Sequence, residues 1–325
     1  MLAINNSFCG EKWEGIKNRI NEQLIQLSVS PATITTNNKQ RSGLRQLDAV
    51  ELTSRLDALL AVLHEAAADF VTFRTLCSLS FRPAYGHCVA LMLEVFEQTR
   101  FNTEIRLKAA DVLAVLFDAS PAGEFVAADS AAIILPGSFF RLQRIAIESA
   151  TAGVSHRICT AAVALISSLI RLTLNCQNAI SSDDNRLAKK ISSLYVERNK
   201  EWMQMATKNI EPMLFLVASR LSANANAAIR RAVARLFREL VSDCRAVFSK
   251  ELVVDAAVDL CVLLRSDPDQ AIRREMDEFE AQLRSNHHNK EILSYLFQKF
   301  IRTIKDFSKK LREASDGDHI FQNVR

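Results

Sequence analysis

The chain has 325 residues, 49% apolar, yet carries only 8 Gly and 6 Pro, where average usage gives roughly 23 and 16. So few breakers exclude turn-dense sandwiches, barrels and propellers and leave a helix-rich, packed chain. The 41 basic and 37 acidic residues give a net charge of +4, too balanced to point to nucleic acid or to an anionic membrane.

From the amino terminus, residues 1–10 have neither a basic segment nor an apolar core and read as no signal peptide. A first helix is predicted over 11–28, with Ile16, Ile20, Leu24 and Leu27 on one face. Residues 28–43 form a polar stretch around Pro31 and are expected as a loop. An amphipathic stretch follows over 44–79, with Leu52, Leu56, Leu59, Leu60 and Leu63 at helical spacing.

Beyond Pro83 one pattern recurs four times. Its copies open Asn102-Thr-Glu-Ile-Arg, Ser155-His-Arg-Ile-Cys, Asn226-Ala-Ala-Ile-Arg and Asp269-Gln-Ala-Ile-Arg. Each starts on a residue suited to cap a helix. Ile105, Ile158, Ile229 and Ile272 come three residues later. Four further on stand Ala109, Ala162, Val233 and Met276, and eleven beyond each isoleucine Leu116, Leu169, Leu240 and Leu283. Steps of four and eleven keep one helix face. Another apolar helix is expected before each copy, over 84–100, 137–151, 210–221 and 248–265. The isoleucines are 53, 71 and 43 residues apart, and a two-helix unit of about 40–47 residues is the HEAT or armadillo signature. The fold expected is all-α: a right-handed superhelical solenoid of HEAT-like antiparallel helix pairs, one array over 1–325. A polar, charged insertion with its own helix is expected at 178–207. Pro136 and Pro212 read as lying near helix starts.

One finer feature fits such an array. Asp267 stands in a turn between helices, six residues before Arg273, and Asn224 precedes Arg230 by the same step. In HEAT repeats an acid in this turn commonly pairs with an arginine early in the second helix of a neighbouring unit. At Arg106 the matching upstream residue is Arg100, and the series fails there. Unrelated helix starts carrying exposed arginines are the alternative.

Catalytic and ligand motifs are absent: no phosphate-binding GxxxxGK[ST], no GxGxxG, no HExxH and no GxSxG. The chain reads as non-enzymatic and without a cofactor. His87-Cys88 and His287-His288 are adjacent pairs, which on a helix point about 100° apart and rarely share an ion. Asp183-Asp184 and the group Glu275, Asp277, Glu278 and Glu280 read as solvated faces. The seven cysteines are odd in number, without a CxxC pair, and sit mostly in apolar runs; they read as reduced core thiols of a cytoplasmic or nuclear protein. The longest apolar-rich run, 158–170, falls short of the ~18–20 residues that cross a bilayer, so no membrane partner is expected. Residues 286–313 read as a basic amphipathic helix carrying Ile292, Leu296, Phe300, Ile304 and Phe307 on one face, and 314–325 as a flexible tail. Closing the array, docking a partner, or touching nucleic acid or membrane are its alternatives, in that order.

The order of features also suggests a family. Leu135-Pro-Gly opens an apolar helix. A charged segment, Tyr195-Val-Glu-Arg-Asn-Lys-Glu-Trp202, then leads to Thr207, to Ala228-Ile-Arg-Arg, to Cys244 and to Ser266-Asp-Pro-Asp. Over about residues 70–284 this resembles the amino-terminal HEAT region of the family of the first telomere-maintenance-two-interacting protein. Members are the large scaffolds of the Triple-T cochaperone complex. The resemblance implies a scaffold that joins two other helical-repeat subunits. With chaperone adaptors, the complex supports maturation of phosphatidylinositol 3-kinase-related kinases. Family members are much longer, so the chain would be a first stretch of a longer solenoid or a short member. Candidate partner contacts are Arg198, Glu201, Trp202, Arg230 and Arg273, with Trp202 alternatively packing the insertion onto the array. The repeats alone fit a transport or phosphatase adaptor equally well, and nucleic-acid binding through the basic helices is the third reading.

Overall fold

The computed structural model describes residues 2–28, 44–78 except 46, 80–118, 124–151, 155–175, 196–244 except 197, 247–248, 256, 259–285 and 301. Ten helices run through them: α1 (Leu2–Leu27), α2 (Ala49–Ala67), α3 (Phe70–Leu76), α4 (Arg82–Glu97), α5 (Thr103–Phe117), α6 (Glu124–Thr151), α7 (His156–Leu174), α8 (Lys200–Leu221), α9 (Ala227–Asp243) and α10 (Gln270–Ser285). Residues 259–264 are helical as well. Among the described residues there is no strand beyond one antiparallel bridge, Ser28 with Leu44, which closes the base of the polar stretch 28–43.

The four repeated openings start helices for the reason their sequence gives. The side-chain oxygens of Asn102, Ser155, Asn226 and Asp269 accept from the backbone N–H of Ile105, Arg157, Ala228 and Ala271, at 2.9, 3.3, 2.9 and 2.8 Å. Each bond satisfies a donor that the first turn leaves unpaired, worth about 1 kcal/mol. The repeated apolar positions are the core: Ile105, Ile158, Ile229 and Ile272 are buried, as are Ala109, Ala162, Val233 and Met276, and Leu116, Leu169 and Leu240.

Packing follows a two-layer order. Helices α2, α5, α7, α9 and α10 touch one another in sequence and form one layer, while α1, α4, α6 and α8 form the other. Across the layers α1 pairs with α2, α4 with α5, α6 with α7 and α8 with α9. One continuous apolar core runs between the layers from Ile16 to Phe279. No single pair could bury its apolar face alone, so neighbours stack.

Several boundaries differ from expectation. α1 begins at Leu2, ahead of the predicted start, and buries the predicted face of Ile16, Ile20, Leu24 and Leu27. The stretch 44–79 splits into two helices, because Asp69 ends one and caps the next: its carboxylate accepts from both the N–H and the hydroxyl of Thr72. That bonding holds the Asp69 carboxyl below its ordinary pKa. Pro136 and Pro212 lie inside α6 and α8 rather than at their starts. A proline there removes one backbone bond and strains the turn before it. In α6 that preceding turn is held by buried Ala127, Ala128, Ala131, Ala132 and Leu135, so tertiary packing overrides the local penalty.

The segment expected as an insertion at 178–207 is corrected at its carboxyl end. α8 starts at Lys200, capped by Asn199, which accepts from the Trp202 N–H at 2.8 Å. Residues 200–207 are therefore the first two turns of a repeat helix. Residues 178–195, the tail 314–325 and all of 286–313 but residue 301 lie outside the described residues.

α7 has 19 residues and is long and apolar enough to cross a bilayer, longer than the run read from the sequence. It is packed on α5, α6 and α9, and Ile158, Ile166, Leu169 and Ile170 are fully enclosed. The helix is the centre of the core.

A candidate protein-interaction surface

A groove of about 1000 Å³ lies along the face of α5, α7 and α9. Its floor is made of small residues, including Ala161, Ala164, Ala228 and Ala232, because the bulky residues of these helices point the other way into the core. Its walls are charged: Lys108, Arg157, Arg171, Arg231 and Arg235 stand with Glu104, Asp111 and Glu239. The charges stitch successive helices together. Lys108 of α5 reaches back to Asp57 of α2, Arg157 of α7 meets Glu104 of α5 at 2.5 Å, and Arg171 of α7 meets Asp243 of α9 at 2.5 Å. Burial pushes the Asp111 carboxyl above its ordinary pKa, despite Lys108 nearby.

At the α10 end of this layer the expected solvated face is overturned for one residue. Glu275 is buried, and Arg238 of α9 forms an ion pair with it at 2.7 Å while Arg231 and Arg235 stand 3.9 Å away. It faces α9 because α10 packs there, and the arginines i, i+4 and i+7 on α9 share one side. Asp277 and Glu278 are exposed as expected.

Among the described residues the expected pairing across a repeat turn is present once. Arg230 of α9 grips Asp267 of the following turn with both Nε (2.6 Å) and Nη2 (2.8 Å), and its Nη1 donates to the Asn224 and Ala225 carbonyls. A two-pronged guanidinium–carboxylate pair is the strongest geometry available to these groups. The Arg230 bond holds the Asp267 carboxyl below its ordinary pKa, and the Arg230 guanidinium is raised in turn.

The five candidate contacts separate. Arg198 is 4% exposed, donates to Asp129 of α6 at 2.7 Å and to the Thr173 carbonyl of α7 at 3.3 Å. It braces α8 against the preceding pair and offers no surface to a partner. Arg230 is likewise enclosed by its own turn and by Asp267. Glu201 is exposed on the first turn of α8. Trp202 is half-buried and packed on the core, and Arg273 is half-buried on the first turn of α10, with Nη1 donating to the Pro268 carbonyl of the turn before it. None of the five lines the groove. Arg157, Arg171, Arg231 and Arg235 were not singled out from the sequence. For Arg171, Arg231 and Arg235 the signal is a basic residue on the helix face away from Ile158 or Ile229, at about 100° per residue.

Cys77, Cys88, Cys159 and Cys244 are buried and Cys261 is half-buried. Burial pushes Cys77, Cys88 and Cys159 up to about 12 and Cys261 up to about 11. His87 points to solvent beside buried Cys88. Among the described residues no group of three His, Cys, Asp or Glu side chains is placed to hold a metal ion.

A family model described as the TTI1 N-terminal TPR domain matches residues 7–268. No curated protein and no solved structure matches the chain. The model describes its repeats as tetratricopeptide-like, whose unit is 34 residues, shorter than any isoleucine spacing here; both repeat types are antiparallel helix pairs. The match spans most of the chain and contains the Arg198–Trp202 segment on which the resemblance was drawn, so the chain belongs to the TTI1 N-terminal domain family.

Proposed function

We propose that the chain is a non-enzymatic helical-repeat scaffold of a Triple-T-like cochaperone assembly that supports maturation and stability of phosphatidylinositol 3-kinase-related kinases. Membership of the TTI1 family carries this reading. Its partners are the other helical-repeat subunits of the complex, the kinases and chaperone adaptors, met in the cytoplasm and in a nuclear pool. The helix pairs continue as a right-handed superhelical solenoid, HEAT-like in unit length. The charged groove along α5, α7 and α9 is the docking face, since it presents exposed arginines over a small-residue floor that admits close approach of a partner helix. Purification of the tagged chain from cells, followed by mass spectrometry, tests the proposal. Recovery of the large kinases or of other complex subunits is expected, and repeated absence of both overturns it.

A further inference from the structure

α7 runs down the middle of the groove, since it packs on both α5 and α9. Its line along the floor is Arg157, Ala161, Ala164, Ser168 and Arg171, in steps of three and four that keep one helix face. The line is small in the middle and cationic at both ends. It is about 21 Å long at a rise of 1.5 Å per residue. Half of a helix ~10 Å wide and of that length occupies about 800 Å³, against about 1000 Å³ in the groove.

Most of the charges that line the groove are answered within the chain. Arg157 pairs with Glu104, Arg171 with Asp243, and Lys108 with Asp57. Glu239 accepts from the Ser167 hydroxyl, and Asp269 accepts from the N–H groups of Ala271 and Ile272 at 2.8 and 3.2 Å. Arg231 and Arg235 on the α9 flank are different. Their side chains are 47% and 52% exposed, and the one carboxylate near them among the described residues is Glu275, 3.9 Å from each and already held by Arg238. Asp111 on the α5 flank is exposed and, among the described residues, forms no ion pair. The groove thus has an unanswered cationic flank, an unanswered anionic flank and a floor of small residues between them.

That polarity selects the class of occupant. A phosphate backbone attracted to α9 would meet Asp111 across the groove and Glu104, Glu239 and Asp269 beside the arginines. An added strand requires a sheet edge, and the walls here are helices. We infer that the groove takes an amphipathic helix of a separate protein. One flank of that helix carries two carboxylates a turn apart, at i and i+4, against Arg231 and Arg235, and the other carries a Lys or Arg against Asp111. Leucine or methionine side chains between the flanks fill the space above Ala161 and Ala164. The inference rests on the groove being the docking face and adds the chemistry of the partner.

Fluorescence anisotropy with the full chain and defined probes tests it. The probes are Ala/Leu helices of about 18 residues, stapled because short helices are marginal alone. The first has Glu at i and i+4 on one flank and Lys on the other; the second has Lys on both flanks. The wild type is expected to bind the first at least about tenfold more tightly. Arg231→Gln with Arg235→Gln, which leaves Arg238 on Glu275, should cut that preference below about threefold, and Arg231→Glu with Arg235→Glu should reverse it. Equal binding of the two probes, binding of neither, or a preference unchanged by the Gln pair overturns the inference. So does tighter binding of a polyuridine RNA of about 20 nucleotides, which would assign the groove to nucleic acid, or self-association abolished by the Gln pair, which would assign it to a second copy. Recovery of complex subunits from cells with no discrimination between probes would keep the scaffold reading and remove this one; discrimination without recovery would do the reverse.

Discussion

Arg230 is held on two sides, by the carbonyls of its own turn and by the carboxylate of the next, and Asp267 is almost enclosed. Removing one member of such a pair leaves the other enclosed and uncompensated. Arg230→Ala is therefore expected to cost about 3 kcal/mol in chemical denaturation, whereas removing the exposed pair Arg19–Glu65 costs well under about 1 kcal/mol. Equal effects of the two would show that the enclosed pair is no stronger than a surface one. The pH dependence has a fixed sign. The folded Asp267 carboxyl sits below its unfolded value, chiefly through Arg230. Its contribution is full above about pH 5 and is lost as the pH falls below about 4. Asp267→Asn should flatten that part of the acid limb of the stability curve. The thiols act at the other end. Buried Cys77, Cys88 and Cys159 have folded values raised to about 12, so the unfolded state gains by ionising first and stability falls above about pH 9. Iodoacetamide should modify half-buried Cys261 before these three in native protein; rapid labelling of Cys88 would contradict its burial.

At the scale of the element, what was legible in the sequence was whatever a helix writes into spacing. The four caps, the isoleucine face and the face of α1 are periodic or local features, and the sequence carries them directly. Boundaries set by tertiary packing were not legible. Pro136 and Pro212 read as starts because proline belongs there by local rules, yet both sit inside helices whose earlier turns are buried against neighbours. Arg198 was visible as a charge in a charged segment, and only the fold shows it enclosed between Asp129 and the Thr173 carbonyl. Its role as the brace of α8 gives a prediction. Arg198→Ala leaves Asp129 and a buried carbonyl short of their donor, and is expected to cost about 3 kcal/mol. Amides in the first turns of α8 should exchange faster, while those of α2 should not. A partner contact would instead leave stability unchanged and reduce capture.

At the scale of the whole molecule, a stack of helix pairs couples each unit mainly to its neighbours. The layer α2, α5, α7, α9, α10 buries its bulky side chains on one side and lines a groove with small and charged ones on the other. The core-forming side chains and the proposed docking face therefore lie on opposite sides of the same helices and can be altered separately. Arg231 and Arg235 are about half exposed and lie at the edge of ion-pair distance from Glu275, which keeps Arg238 at 2.7 Å. Replacing both by Gln removes two cations from the groove without uncovering Glu275. The melting temperature should move by no more than about 3 °C, since exposed pairs contribute little. If the groove docks the partner, capture of complex subunits or kinases from cells should fall by about fivefold or more, because groove charge steers and registers the encounter. Glu201→Lys with Trp202→Ala, on the first turn of α8, supplies the contrast. Loss of capture there, with none in the Arg231→Gln/Arg235→Gln variant, would move the docking face from the groove to the start of α8.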